Sequence, residues 1–249
     1  MTAGRALAGY LRWHAQDAVL RAVTPVILFL AMGGVPLWSF ARTVGLTALD
    51  RPGDAQNVAL QIYGNTMPLA MTLGALILAG GLPATDREKQ YFRFLFAKPV
   101  VAWAYYLQQF VVRLALFAGA MTLVPVFFSL IVTAVPVLAV TRSAILLALL
   151  YGSLVVLCGA LVTKDGVAFI AVAASSFVLQ QLGRAGALPG WLALVAGLLP
   201  PFVTADAVRV LWLSGAPAAA EDIVHVIGYS IGMLVAALLL VRRLPLARS

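Results

Sequence analysis

The sequence predicts an all-α integral membrane protein with six transmembrane helices, and three observations carry that expectation. Hydrophobic residues make up 63% of the chain and charged residues only 10%, with a mean hydropathy of +1.00; a soluble domain carries about 25% charged residues. Apolar runs close to the ~20 residues that cross a bilayer core recur along the whole length. The lysines and arginines behind the net charge of +8 sit mostly between those runs. Topology therefore explains them better than nucleic acid does, and no nucleic-acid partner is expected. The 249 residues read as a single transmembrane domain, 1–249, embedded in a lipid bilayer.

The elements follow in chain order. Residues 4–20 are too polar to span, and Leu7, Tyr10, Leu11, Ala18 and Leu20 among Arg5, Arg12 and Asp17 predict an N-terminal interfacial helix. Spans are expected at about 22–40, 58–82, 104–130, 144–162, 167–182 and 223–241. The first run begins late and is too long for the apolar core of a secretory signal. Between spans five and six, residues 188–215 alternate Pro and Gly signals with two apolar pieces, Trp191–Leu199 and Ala205–Leu213. Neither piece can span alone, so a re-entrant or interfacial helical segment is expected there.

The stretch between spans two and three is both charged and organised. Thr85 and Glu88 have capping-box spacing, and Asp86 and Glu88 place negative charge at a helix N-terminus. Tyr91, Phe92, Leu95 and Phe96 then form an apolar stripe, with Asp86, Lys89, Gln90 and Arg93 opposite. Pro99 ends the ladder. A short amphipathic helix over 85–97 follows, either gripped by a partner or resting its aromatic stripe on lipid headgroups.

Orientation comes from the cations. With the N-terminus inside, Arg5, Arg12, Arg21, Arg87, Lys89, Arg93, Lys98, Lys164, Arg242, Arg243 and Arg248 share the cytoplasmic side. Arg42, Arg51, Arg142, Arg184 and Arg209 remain for the other side. That bias predicts both termini in the cytoplasm and places the 85–97 helix there too.

Candidate chemistry is sparse. Gly152-Ser153 in the fourth span and His225 in the sixth are similar to the serine and histidine of a rhomboid-type intramembrane serine protease. Leu154 stands where the second glycine of that serine motif belongs, and a membrane serine more often bonds a carbonyl of its own helix. Lys164-Asp165-Gly166 lacks the further aspartates a phosphotransferase cation site needs. Cys158, the single cysteine, supports neither an intramolecular disulfide nor a cysteine metal site. No metal ligand set and no catalytic residue is expected. Absence of a phosphate-cradling lysine loop means that the chain cannot bind and hydrolyse nucleotide by itself. The intramembrane polar candidates are Asn65, Gln108, Gln109 and Arg113, the last either buried or snorkelling to the cytoplasmic face. Gly228 and Gly232 have the spacing that lets helices approach closely.

With these features in view, the chain resembles the permease subunits of the ABC-2 type exporter family. The resemblance is carried by Asp86-Arg87-Glu88, Ala97-Lys98-Pro99-Val100, Trp103 and Tyr105-Tyr106-Leu107. A weaker match runs from Leu199-Pro200-Pro201 through Ala207, Arg209, Leu211 and Leu213 to Gly215. The family pattern is departed from at Gln90, Val101, Ala102 and Gln109.

The resemblance implies a transport subunit, not an enzyme, at the bacterial inner membrane. Two separate ABC ATPase subunits would carry ATP and Mg, with a second permease copy or a related permease alongside. It makes 85–97 the coupling helix, with Thr85, Asp86, Arg87, Glu88, Tyr91, Phe92, Arg93 and Leu95 docking the ATPase. Few charges in the spans favour an amphipathic, lipid-linked or polysaccharide-type cargo. The alternative from another class is a non-transporting membrane scaffold that anchors a cytoplasmic partner through the same helix.

Overall fold

The computed structural model describes residues 74, 80, 82–84, 86, 101–131 and 134–243. The interfacial helix at 4–20, the first span, most of the second and nearly all of the 85–97 helix lie outside them. Among the described residues there are six helices and no strand: α1 (Ala102–Ile131), α2 (Val137–Leu161), α3 (Asp165–Arg184), α4 (Gly190–Gly197), α5 (Phe202–Leu213) and α6 (Ala220–Arg243). Four of them, α1, α2, α3 and α6, contain stretches long and apolar enough to cross a membrane. The chain is an integral membrane protein by this composition and length.

Helix α2 is the axis of the bundle. Of its most apolar window 72% is buried, against at most 28% for α1, α3 or α6. Its sequence explains the difference. Lipid tails are as apolar as leucine, so helices associate in a membrane by close packing, which small residues permit. Ala144, Ala148, Gly152, Ser153, Cys158, Gly159 and Ala160 supply them along α2, and all are buried. Helix α6 answers with Val226, Ser230, Met233, Ala237 and Val241, a stripe at helical spacing that is buried at every position. Helices α1, α5 and α3 pack around the rest of α2.

Local chemistry sets the ends. Pro136 precedes α2 and can pre-set its start, while the Ser129 hydroxyl accepts the Val135 N–H at 3.1 Å across the α1–α2 turn. Helix α2 therefore begins seven residues before the expected 144. Thr141 and Arg142, which hydropathy assigns to a loop, are helical: the Thr141 hydroxyl donates to Thr122 of α1 at 3.2 Å, and Arg142 is exposed. At the other end of α2, Val162 to Lys164 turn directly into α3, whose Asp165 accepts the Gly166 N–H at 2.8 Å.

A further difference concerns the 85–97 helix. Leu82 and Pro83 form a turn, and Ala84 and Asp86 are already helical. Thr85 and Glu88, the expected capping pair, lie outside the described residues. Pro83 is well suited to a helix start, because its missing N–H would be an orphan there anyway.

Candidate functional site

Two places in the bundle concentrate polar chemistry. The first lies where α1 begins. Tyr106, in the second turn of α1, is buried and donates its hydroxyl to Asp86 Oδ2 at 3.1 Å. Its ring meets Tyr105 edge-on at 5.1 Å between centroids. Tyr105 in turn accepts from Gln109 Nε2 at 2.9 Å, one helical turn further in. Arg113 follows after one more turn and is half-buried, as is Gln108. Tyr106, Tyr105, Gln109 and Arg113 thus lead from Asp86 into the apolar part of α1. The sequence places Asp86 opposite the apolar stripe of the 85–97 stretch; in the structure its carboxylate accepts from Tyr106 of α1. Asn65, Thr85, Arg87, Glu88, Tyr91, Phe92, Arg93 and Leu95 lie outside the described residues.

The turn leading into Asp86 is seated on α2. Leu82, Pro83 and Ala84 are buried. A Cβ added at Gly159 would stand 2.5 Å from the Leu82 carbonyl oxygen, so only glycine admits this contact. A Cβ at Gly74 would likewise stand 2.5 Å from the Phe117 ring of α1. These approaches fasten the segment ahead of the 85–97 helix to α1 and α2.

The second place is the break between α4 and α5, across which the two axes bend by 62°. Pro200 and Pro201 lack N–H groups, and a broken helix leaves carbonyls that nothing in lipid can satisfy. Gln180 of α3 resolves this with one side chain. Its Nε2 donates to the Pro200 carbonyl at 2.7 Å and the Leu199 carbonyl at 3.3 Å, and its Oε1 accepts the Val203 N–H at 3.1 Å. From the opposite helix, the Tyr229 hydroxyl of α6 donates to the Leu198 carbonyl at 2.7 Å. Phe202 then packs on Tyr151 of α2 at 5.2 Å, and Tyr151 on Phe169 of α3 at 6.0 Å. Beyond the break, Arg209 is buried and directs Nε and a terminal nitrogen to Asp206 Oδ1 at 2.9 and 2.8 Å.

Gln180 and Tyr229 were missed from sequence. Gln180 carries the usual signal of a functional membrane residue, an amide in an apolar run, but it stands near the end of that run, where an amide costs little. What it reaches lies 19 to 23 residues away.

The protease pair is not assembled. Ser153 is fully buried and donates to the Leu150 carbonyl at 3.0 Å, while His225 is exposed with its ring beside Tyr229 at 6.4 Å. Ser153→Ala is expected to change stability by less than about 1 kcal/mol, because a bond to a carbonyl of the same helix is locally replaceable. No proteolytic activity on a membrane substrate is expected to depend on it. Thermal melting, together with cleavage of a reporter helix, checks both halves.

Comparison with protein-family models, with curated proteins and with solved structures finds no match to this chain.

Proposed function

We propose that the chain is the membrane subunit of an ATP-driven ABC-2 type exporter, moving an amphipathic, lipid-linked or polysaccharide-type cargo. One observation carries this. The resemblance has two ends, Asp86-Arg87-Glu88 and Tyr105-Tyr106-Leu107, and Asp86 and Tyr106 are joined by a hydrogen bond. A partner that pushed on the 85–97 helix would then push on α1 directly, and through the Leu82–Gly159 contact on α2 as well. Stiff attachment of this kind is what transmission of force requires, since a slack loop would absorb the movement. In this reading both termini are cytoplasmic, the 85–97 helix docks a separate ATPase that holds ATP and Mg, and α4–α5 is a re-entrant pair on the outer face. A second permease, identical or related, completes the complex.

The test is purification of the tagged chain from membranes of its own host. A polypeptide bearing a phosphate-binding lysine loop is expected to co-purify stoichiometrically and to hydrolyse ATP. Reversing Glu88→Arg together with Arg93→Glu spares the Asp86–Tyr106 bond. It is expected to weaken that association by about tenfold, the effect of one repulsive contact of about 1.4 kcal/mol. Purification without any ATPase, or an association indifferent to both reversals, overturns the reading; a different soluble partner on the same helix would make the chain a scaffold.

A further inference from the structure

Helices α4 and α5 are unequal arms of one broken element. In α5, Phe202, Val203, Ala205, Val208 and Arg209 are buried, so that arm is embedded. In α4 only Ala196 is buried, while Trp191, Leu194 and Val195 are exposed, as is Leu198 just beyond its end. Its main packing is on α3, where a Cβ at Gly183 would stand 4.0 Å from that of Ala196. Low packing density of this kind is the physical content of local mobility. Both ends of α4 are jointed. Gly186, at φ +70°, sits in open space in the turn after α3, and the break at Leu198–Pro201 lies beyond.

The geometry points to Gln180 as a releasable latch on this arm. Tyr229 pins the pivot by holding the Leu198 carbonyl, and Gln180 sets the bend by holding Leu199, Pro200 and Val203 on either side of it. All three Gln180 bonds run through one carboxamide, so one side-chain rotation releases them together, while Tyr229 still holds the Leu198 carbonyl as the pivot and the Phe202 N–H still holds the Pro200 carbonyl at 2.8 Å. Helix α4 is about 12 Å long at 1.5 Å per residue, so a swing of about 30° moves its far end by about 6 Å. The arm therefore has a latched and an unlatched position. This goes beyond the transporter reading and does not depend on it.

The test uses the full chain in phospholipid nanodiscs, with Cys158→Ala removing the native thiol. Nitroxides on Leu194→Cys and Val178→Cys report the distance between α4 and α3 by electron double resonance. The parent is expected to give one narrow distance and Gln180→Leu a second or broadened one. A separately labelled sample, carrying Gly183→Cys and Ala196→Cys with reporters that do not need cysteine, closes a disulfide across the 4.0 Å gap. Such bridges need a Cβ separation of about 3.5–4.5 Å. In the Gln180→Leu background this bridge is expected to restore the single distance, and reduction to lose it again. A narrow, unchanged distance in Gln180→Leu overturns the latch, as does a parent that is already broad. Failure of the disulfide to restore the narrow distance also overturns it, since Gln180 would then hold the fold rather than the arm. None of these outcomes bears on whether an ATPase co-purifies.

Discussion

Gly159→Leu is expected to leave almost no folded, monodisperse protein. A Cβ there would stand 2.5 Å from the Leu82 carbonyl oxygen, with the Leu82 carbonyl carbon and Pro83 Cδ both at 3.1 Å. Overpacking a core ordinarily costs about 1–3 kcal/mol because side chains turn aside. Here the obstructing atoms are backbone, in a buried turn that leads into Asp86, so relief requires Leu82–Ala84 to lift off α2. That movement would also strain the Asp86–Tyr106 bond. Gly74→Ala offers a contrast, since the atom in its way is the far end of the Phe117 ring, which can rotate. Gly119→Leu is the control, with nothing within 4 Å of its Cβ. Size-exclusion profiles and melting temperatures in detergent should rank Gly119→Leu near the parent, Gly74→Ala below it and Gly159→Leu last. A Gly159→Leu protein that melts like the parent would mean that the Leu82 turn does not rest on α2.

What the sequence makes legible divides along the range of the forces involved. Hydropathy is summed over some twenty positions, so α1, α3 and α6 stand close to the runs at 104–130, 167–182 and 223–241. Pro200-Pro201 is equally plain, because loss of two N–H groups breaks a helix whatever surrounds it. The start of α2 was obscured because Thr141 and Arg142 lower the local hydropathy. Their cost is met by means a window average does not register, a hydroxyl partner on α1 and an exposed guanidinium. The site was less readable than the fold. Asp86 was identified as important, but its inward direction depends on Tyr106, twenty residues on. Gln180 was passed over because its partners are backbone groups, and backbone groups leave no trace in residue identities.

Asp206→Leu is expected to destabilise the protein by about 2–4 kcal/mol, more than the loss of both partners together. Arg209 is 7% exposed, and its Nε and one terminal nitrogen both reach the same Asp206 oxygen. Breaking a buried pair from one side typically costs about 3–5 kcal/mol, because the remaining charge keeps its desolvation penalty while losing this part of its compensation. The Asp206 side chain is 45% exposed, so water screens part of the attraction and the expected cost falls around the lower end of that range, at about 2–4 kcal/mol. Arg209→Leu should cost less, since a half-exposed carboxylate can be solvated once its partner is gone. In the double variant neither charge needs compensation, and replacement of a buried pair by apolar residues is often neutral. Its melting temperature should therefore recover most of the way to the parent. A double-mutant cycle by thermal melting measures the coupling directly, and additive single effects would show that the pair contributes nothing as a pair. In the proposed exporter reading the same double variant also separates structure from transport: a variant that folds as well as the parent but no longer supports ATP-driven export would assign the charges at Asp206 and Arg209 to the passage of cargo and not to the bundle.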